Sequence, residues 1–265
     1  TRADLIARVT RLLASDTSQA SDDYEQFSPD EHALDELSDR GEGVEGVDEI
    51  DVTKTTAEDA IAELVGIHDD MVSAPRIDNL LSCHAGTEAL IAVAEAHGAV
   101  PVLALFDHEE IGSVSTTGAA GPLLERTLRR FVGLDVRPVG DSLVLSVDGA
   151  HATHPNYPDR HDPEHRILLD GGPVLKFNAR ERYATDAIGA GIVRLAAEQA
   201  GVELQSFVSR SDMSCGSTIG PATAAVLGMR TVDLGVAQLA MHSARELCGS
   251  TDPTRLRGLL VALLA

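Results

Sequence analysis

The sequence predicts an α/β domain built on a mostly parallel sheet with helices on both faces. Three observations carry that expectation. Short apolar runs alternate with longer stretches of helical periodicity, the pattern of parallel strands joined by crossover helices. Aromatic residues make up only 3% of the 265 residues and Trp is absent, so the core must be built from Ala, Val, Leu and Ile, which suits buried parallel strands. Acidic residues stand just after several of the apolar runs, where open α/β sheets gather functional groups.

Taken in order, residues 1–14 space Leu5, Ile6, Val9, Leu12 and Leu13 as one helical face. From Ser15 to about Glu49 the chain is acidic and poor in apolar residues, the composition of a solvated loop or disordered stretch. Residues 56–66 are expected to form a short helix capped by Thr55 or Thr56. Leu80 to His97 reads as a long helix stopped by Gly98, and the PVLALF run (101–106) as a buried strand ending at DHEEIGS. A helix is expected over 119–131, and SLVLSVD (142–148) reads as a strand ending in an acid. GPVLKFN (172–178) is a further strand, followed by a helix from about Thr185 to Ala200. A strand within VELQSFVS, a helix from Pro221 to Leu227, a strand over 229–235 and a helix from Arg255 to Leu264 complete the alternation. The organisation expected is an acidic N-terminal segment, 1–71, partly helical and partly disordered, followed by a compact portion, 72–265.

Charge narrows the partners. The chain carries 42 Asp and Glu against 21 Lys and Arg, a formal charge of −21, which repels nucleic-acid phosphates and anionic membranes. Lysine occurs at Lys54 and Lys176 alone. An acidic, lysine-poor surface is expected of salt-adapted proteins, and a GC-rich genome also favours Arg over Lys. Cys83, Cys215 and Cys248 have no CxxC spacing and read as reduced thiols of a cytoplasmic protein. No apolar run reaches the roughly 18 residues of a membrane span.

The candidate chemistry is a set of acids and one imidazole delivered from separate loops. Asp78 precedes a helix, Glu109 and Glu110 follow the strand ending at Phe106, Asp148 closes another strand, and His242 follows TVDLG by a short loop. Three carboxylates, one of them from the Glu109-Glu110 pair, and an imidazole suit hard-to-borderline divalent ions, although each acid also reads as a helix cap or a surface charge. Glu109 and Glu110 cannot point the same way on an extended chain, so one can bind an ion while the other acts as general base. The apolar strand before the pair and Gly112 after it predict a buried turn. Lys176, set in an apolar strand, requires an anion, either an internal salt bridge or a ligand. In SDMSCGSTIGP (211–221), the amides could face an anion, or Gly216 and Gly220 could let helix and sheet pack closely. His161 and His165 read as packing or surface residues.

APRIDNLLSCHAGTEAL, FDHEEIGSVSTTGAAGPLLERTLRR, SVDGAHATHPNYPDRHDPEHRILLDGGPVLKFNARERYATD, SRSDMSCGSTIGPATAAVLGMRTVDLG and AQLAMHSARELCGSTD occur in order over residues 72–252. Together they resemble the aspartyl aminopeptidase family of dinuclear zinc metallopeptidases. The resemblance implies a three-layer, zinc-exopeptidase-like α/β sandwich and two divalent ions, zinc first, with manganese or cobalt compatible. It implies that Asp78 bridges the ions, that Glu110 and His242 complete one ion site, and that Asp148 belongs to the other. Glu109 would be the base that takes a proton from a metal-activated water. His154, Lys176 and Tyr183 would bind substrate, a peptide with an N-terminal Asp or Glu, with Lys176 receiving the acidic side chain. Full-length members form homo-oligomers.

The chain departs from that family in one respect that touches the ligands. It contains no His-Thr-Asp-Ser-Pro segment, whose His is a metal ligand in the family, and by that resemblance the second, oligomerisation domain is expected to be largely missing. The expectation is an N-terminally truncated member, with a catalytically inactive chain of structural or assembly role as the alternative. Gly149, where the family usually has Met, and Ala237, where Pro is usual, touch no expected ligand.

Overall fold

The computed structural model describes residues 62–93, 100–132 and 142–265, all within a compact unit, Thr55–Ala265. The helix expected over 1–14 and the acidic stretch after it lie outside the described residues, as does the helix stop at Gly98. The division expected between residues 71 and 72 falls inside a strand.

Nine strands and five α-helices are described. In chain order they are β1 (Glu63–Val65), β2 (Met71–Ala74), α1 (Ile77–Ala92), α2 (Leu123–Val132), β3 (Leu143–Val147), β4 (Ala150–His151), β5 (Val174–Phe177), α3 (Ala187–Ala200), β6 (Gln205–Val208), α4 (Ile219–Leu227), β7 (Arg230–Gly235), β8 (Ala237–Leu239), β9 (Glu246–Gly249) and α5 (Asp252–Leu264). β3, β7, β5 and β6 form a four-stranded sheet in that order. β3 runs parallel to β7 and β5 parallel to β6, while β5 and β7 are antiparallel.

Alternation along β7 sorts the layers. Val232 and Leu234 point to one face, where Leu175, Ala190, Val193, Ala197 and Leu259 bury them under α3 and α5. Asp233, between them, points to the other face. There it accepts from Ser146 Oγ at 2.6 Å and from Thr218 Oγ1 at 2.5 Å, at the start of α4. Helices therefore cover both faces, and the layers number three. α5 packs against α1 as well as α3. Its Leu256, Leu259 and Leu260 are buried and contribute roughly 2 kcal/mol each relative to exposure.

Helix ends follow local chemistry. Asp186 caps α3 by accepting from Gly189 N–H at 2.6 Å, and Gly201 ends it in a left-handed conformation. Thr218 and Gly228 do the same for α4. Gly220 lets α4 approach the sheet, since a Cβ there would lie 2.3 Å from the Asp233 carboxylate; Gly216 has open space and no such role.

A second, five-stranded sheet in the order β1-β2-β9-β8-β4 extends from the ends of β3 and β7. The parallel ladder crosses the junction without a gap: Asp148 N–H donates to Leu234 O, Ala150 N–H to Val236 O and Ala152 N–H to Gln238 O, at 2.8–2.9 Å. This second sheet is mainly antiparallel. Its strands are two to four residues long, too short for periodicity to reveal them. Two expectations fail here. Residues 63–65 form β1 against β2 rather than part of a helix, because cross-strand pairing overrides a short helical pattern. Residues 101–106 form no ladder with any described strand, and Val102 and Leu105 are more than half exposed, at 52% and 53%. An apolar run becomes a buried strand only where neighbours pair with it and cover it. Among the described residues no helix is long and apolar enough to cross a membrane.

Candidate metal centre

The second sheet explains how residues distant in sequence meet. β2 and β9 pair antiparallel with Ala74 opposite Glu246. Asp78 lies four residues beyond Ala74, and His242 lies four residues before Glu246. The register thus returns both side chains to the same end of the strand pair. Glu110 arrives from a turn in which Gly112 N–H donates to Glu109 O at 2.9 Å and Ser113 N–H to His108 O at 2.8 Å.

His242 Nε2 lies 3.1 Å from Asp78 Oδ2 and 3.1 Å from Glu110 Oε2. One donor atom from each of the three side chains falls within 4.8 Å of the others, and among the described residues theirs is the one such group. The Asp78 side chain is nearly buried, whereas His242 and Glu110 are exposed. The turn expected at Glu109–Glu110 is present, but Glu110 stands open to solvent, because the 101–106 segment before it is not enclosed by described strands.

Asp148 stands at the junction of the two sheets, its carboxylate 3.5 Å from Lys176 Nζ. Lys176 is only 1% exposed; its ammonium also donates to Gly149 O and lies 5.3 Å from the Tyr183 ring centroid. The strand lysine therefore has an internal carboxylate partner. Gly235 makes this approach possible: a Cβ there would lie 2.0 Å from Asp148 O and 3.0 Å from Lys176 Cε.

The electrostatics are those of crowded acids. Burial, together with the charge and side-chain hydrogen bond of Asp148 and the charges of Glu110 and Glu246, pushes Asp78 up to about 8. Burial and the charges of Asp148 and Glu110 push Glu109 up to about 7, against a lowering influence of Lys176. Burial, then the hydrogen bond with Cys215, raises Tyr183 well above the ordinary phenol range.

The donor set fits a divalent cation. Asp78 Oδ1 is buried with no hydrogen-bond partner, and a buried carboxylate oxygen without one is costly. Carboxylate oxygens with one imidazole nitrogen match zinc and its first-row neighbours. Asp78, Glu110 and His242 would hold one ion, and Asp148, whose charge bears on Asp78, is a further carboxylate donor at the site.

The remaining expected substrate residues divide. Tyr183 is buried beside Lys176. His154 is exposed and makes local contacts, accepting from Asn156 N–H at 3.1 Å and tilting against the Tyr157 ring at 5.0 Å. His161 packs edge-on against Phe207, and His165 pairs with Asp162 at 2.8 Å, as packing and surface residues would. Cys83, Cys215 and Cys248 are free thiols. Cys215 lies 3.2 Å from Ser209 Oγ, and burial pushes Cys248 up to about 12, far from thiolate reactivity.

One residue escaped the sequence reading. Glu246 is 2% exposed; its Oε2 accepts from Asp78 N–H and its Oε1 from His242 N–H, both at 2.7 Å. The signal was available: an acid opening the short apolar strand ELCG poses the same question as Lys176 in its strand.

Comparison with known proteins places this geometry in context. Residues 4–262 match the family described as aminopeptidase I zinc metalloprotease (M18). A probable M18 family aminopeptidase 2 of Streptomyces avermitilis is 52% identical over 210 residues, covering 76% of this chain and 49% of that protein. The cryo-EM structure of the Ape4 and Nbr1 complex contains a chain 42% identical, with a TM-score of 0.74 over 77% of this chain and 41% of that one. The S. cerevisiae mApe1 dodecamer matches at 32% identity and a TM-score of 0.67, over 76% of this chain and 47% of that one. The chain spans about half the length of the curated relatives it matches.

Proposed function

The chain belongs to the M18 family of aminopeptidase I zinc metalloproteases, and from that premise we propose that it contributes the metal centre of an aminopeptidase removing N-terminal Asp or Glu from peptides. The observation that carries the reading is the convergence of Asp78, Glu110 and His242, from three segments, on one cation-sized space. Asp148, whose charge bears on Asp78, would serve a second ion. Bound divalent ions, zinc first, would supply Lewis acidity toward the scissile carbonyl and make water nucleophilic near neutral pH.

The chain's own groups do the rest. Glu109, with its carboxyl near neutrality, exchanges a proton at the pH where peptides are hydrolysed, as a base on attack and an acid toward the leaving amine. Lys176, a buried cation beside the acids, would attract the side-chain carboxylate of the substrate's first residue, with Tyr183 fixing its ammonium. His154, on the loop after β4, would reach the substrate backbone. As in the dodecameric relative, assembly into a homo-oligomer belongs to this reading, as does a reducing, cytoplasmic setting for the three free thiols.

A second reading, a family member without activity that serves assembly, draws on the cluster holding only three donors among the described residues. Purified protein supplied with zinc, cobalt or manganese should hydrolyse an N-terminal aspartyl reporter faster than an alanyl one. Lys176→Met should erase most of that preference, and equal loss on both reporters refutes the role of Lys176. Bound metal without hydrolysis favours the second reading.

A further inference from the structure

Ligands on two loops bind an ion more tightly when the loops already hold the right separation before it arrives. Asp78 and His242 both sit in irregular backbone. His242 is left-handed, with φ 67, which costs a non-glycine residue on the order of 1 kcal/mol. Asp78 has φ −83 and ψ 109 within the first turn of α1 and so interrupts the helix there. Neither conformation holds itself, so something outside each loop must define it.

We propose that Glu246 is the positioning residue of the metal centre: its single buried carboxylate accepts the backbone N–H of both ligand-bearing residues and clamps their loops at one separation. The proposal rests on reading Asp78, Glu110 and His242 as metal ligands. Its geometry is symmetrical. Glu246 opens β9 opposite Ala74, the last residue of β2, so the side chain stands between the two loops that leave that pair. One oxygen serves each loop at 2.7 Å, a charge-assisted arrangement of the stronger kind. No alternative residue type does this. Gln presents an acceptor to one N–H and an opposing NH2 to the other, and Asp, one methylene shorter, cannot span both.

A matched control lies three residues beyond the other end of the same strand, at the start of α5. Asp252, also fully buried, accepts the N–H groups of Asp170 at 2.8 Å and Gly172 at 3.1 Å, and neither of those residues is a candidate ligand. Glu246→Gln and Asp252→Asn thus damage similar two-acceptor carboxylates, one on the metal loops and one away from them.

The test is calorimetric titration of the metal-free 265-residue chain with zinc and cobalt, with thermal melting and amide exchange measured alongside. Glu246→Gln should weaken ion binding about 10- to 100-fold, the range for groups that orient metal ligands. Asp252→Asn should leave ion affinity at the parental value, whatever its melting temperature. In the metal-free chain, the Asp78 and His242 amides should exchange faster in Glu246→Gln and keep parental rates in Asp252→Asn. Parental affinity and exchange in a folded Glu246→Gln overturn the clamp and leave the metal reading standing. A parent chain that binds neither ion overturns the metal reading and the clamp's function with it.

Discussion

At the scale of single residues, the site is a set of acids held too close together for water alone to satisfy. Glu109 shows the consequence. Its carboxyl sits near neutrality because burial and the charges of Asp148 and Glu110 oppose ionisation, and it is not one of the three clustered donors. Glu109→Gln should therefore lower kcat by about 10²- to 10⁴-fold while bound metal, counted by atomic emission, stays at the parental level. Loss of metal in step with activity would make Glu109 a ligand instead. Asp148 and Lys176 form an ion pair at 3.5 Å, so in the proposed function substrate recognition and ion binding would be coupled through one strand junction. The residues with chemical character were visible in the sequence because acids, His and Lys stand out against apolar strands. Glu246 was not, because its contribution is to backbone amides, which carry no residue signature.

At the scale of elements, helices and the longer strands follow from period, caps and breakers. Asp186, Thr218, Gly201 and Gly228 end helices where their chemistry dictates. The short strands β1, β2, β4, β8 and β9 exist because each has a partner, and no window of two to four residues contains that information. The 101–106 run illustrates the converse, an apolar segment with no described strand to pair with. The junction between sheets makes a direct prediction. Gly235→Ala would drive a methyl against the Asp148 carbonyl, 2.0 Å away, and backbone cannot give as a flexible side chain can. Urea denaturation should show a loss of about 1–3 kcal/mol, with weaker metal binding as Asp148 is displaced. A parental midpoint and affinity would show that the junction relaxes freely.

At the scale of the whole molecule, uncompensated acidity makes stability respond to protons and cations. Asp78 and Glu109 titrate near 8 and 7 in the folded chain, against about 4 when unfolded. Raised folded values mean that their contribution to stability is complete below about pH 4 and is lost as pH rises through 7 and 8. The melting temperature of the metal-free chain should thus fall between about pH 5 and 8 more steeply than that of Asp78→Asn. An ion at a hundred times its Kd should restore about 2.7 kcal/mol; identical pH slopes in parent and variant would refute this origin. The sequence by itself determined the α/β class, the order of the main elements, the family and the residue types able to bind an ion, because periodicity, capping and motif are local properties of the chain. Only the tertiary structure decided that Asp78, Glu110 and His242 share one space, that Lys176 pairs with Asp148, and that Glu246 ties two loops together. Those facts depend on the register of short strands distant in sequence, where pairing energy outweighs any preference a few residues can express.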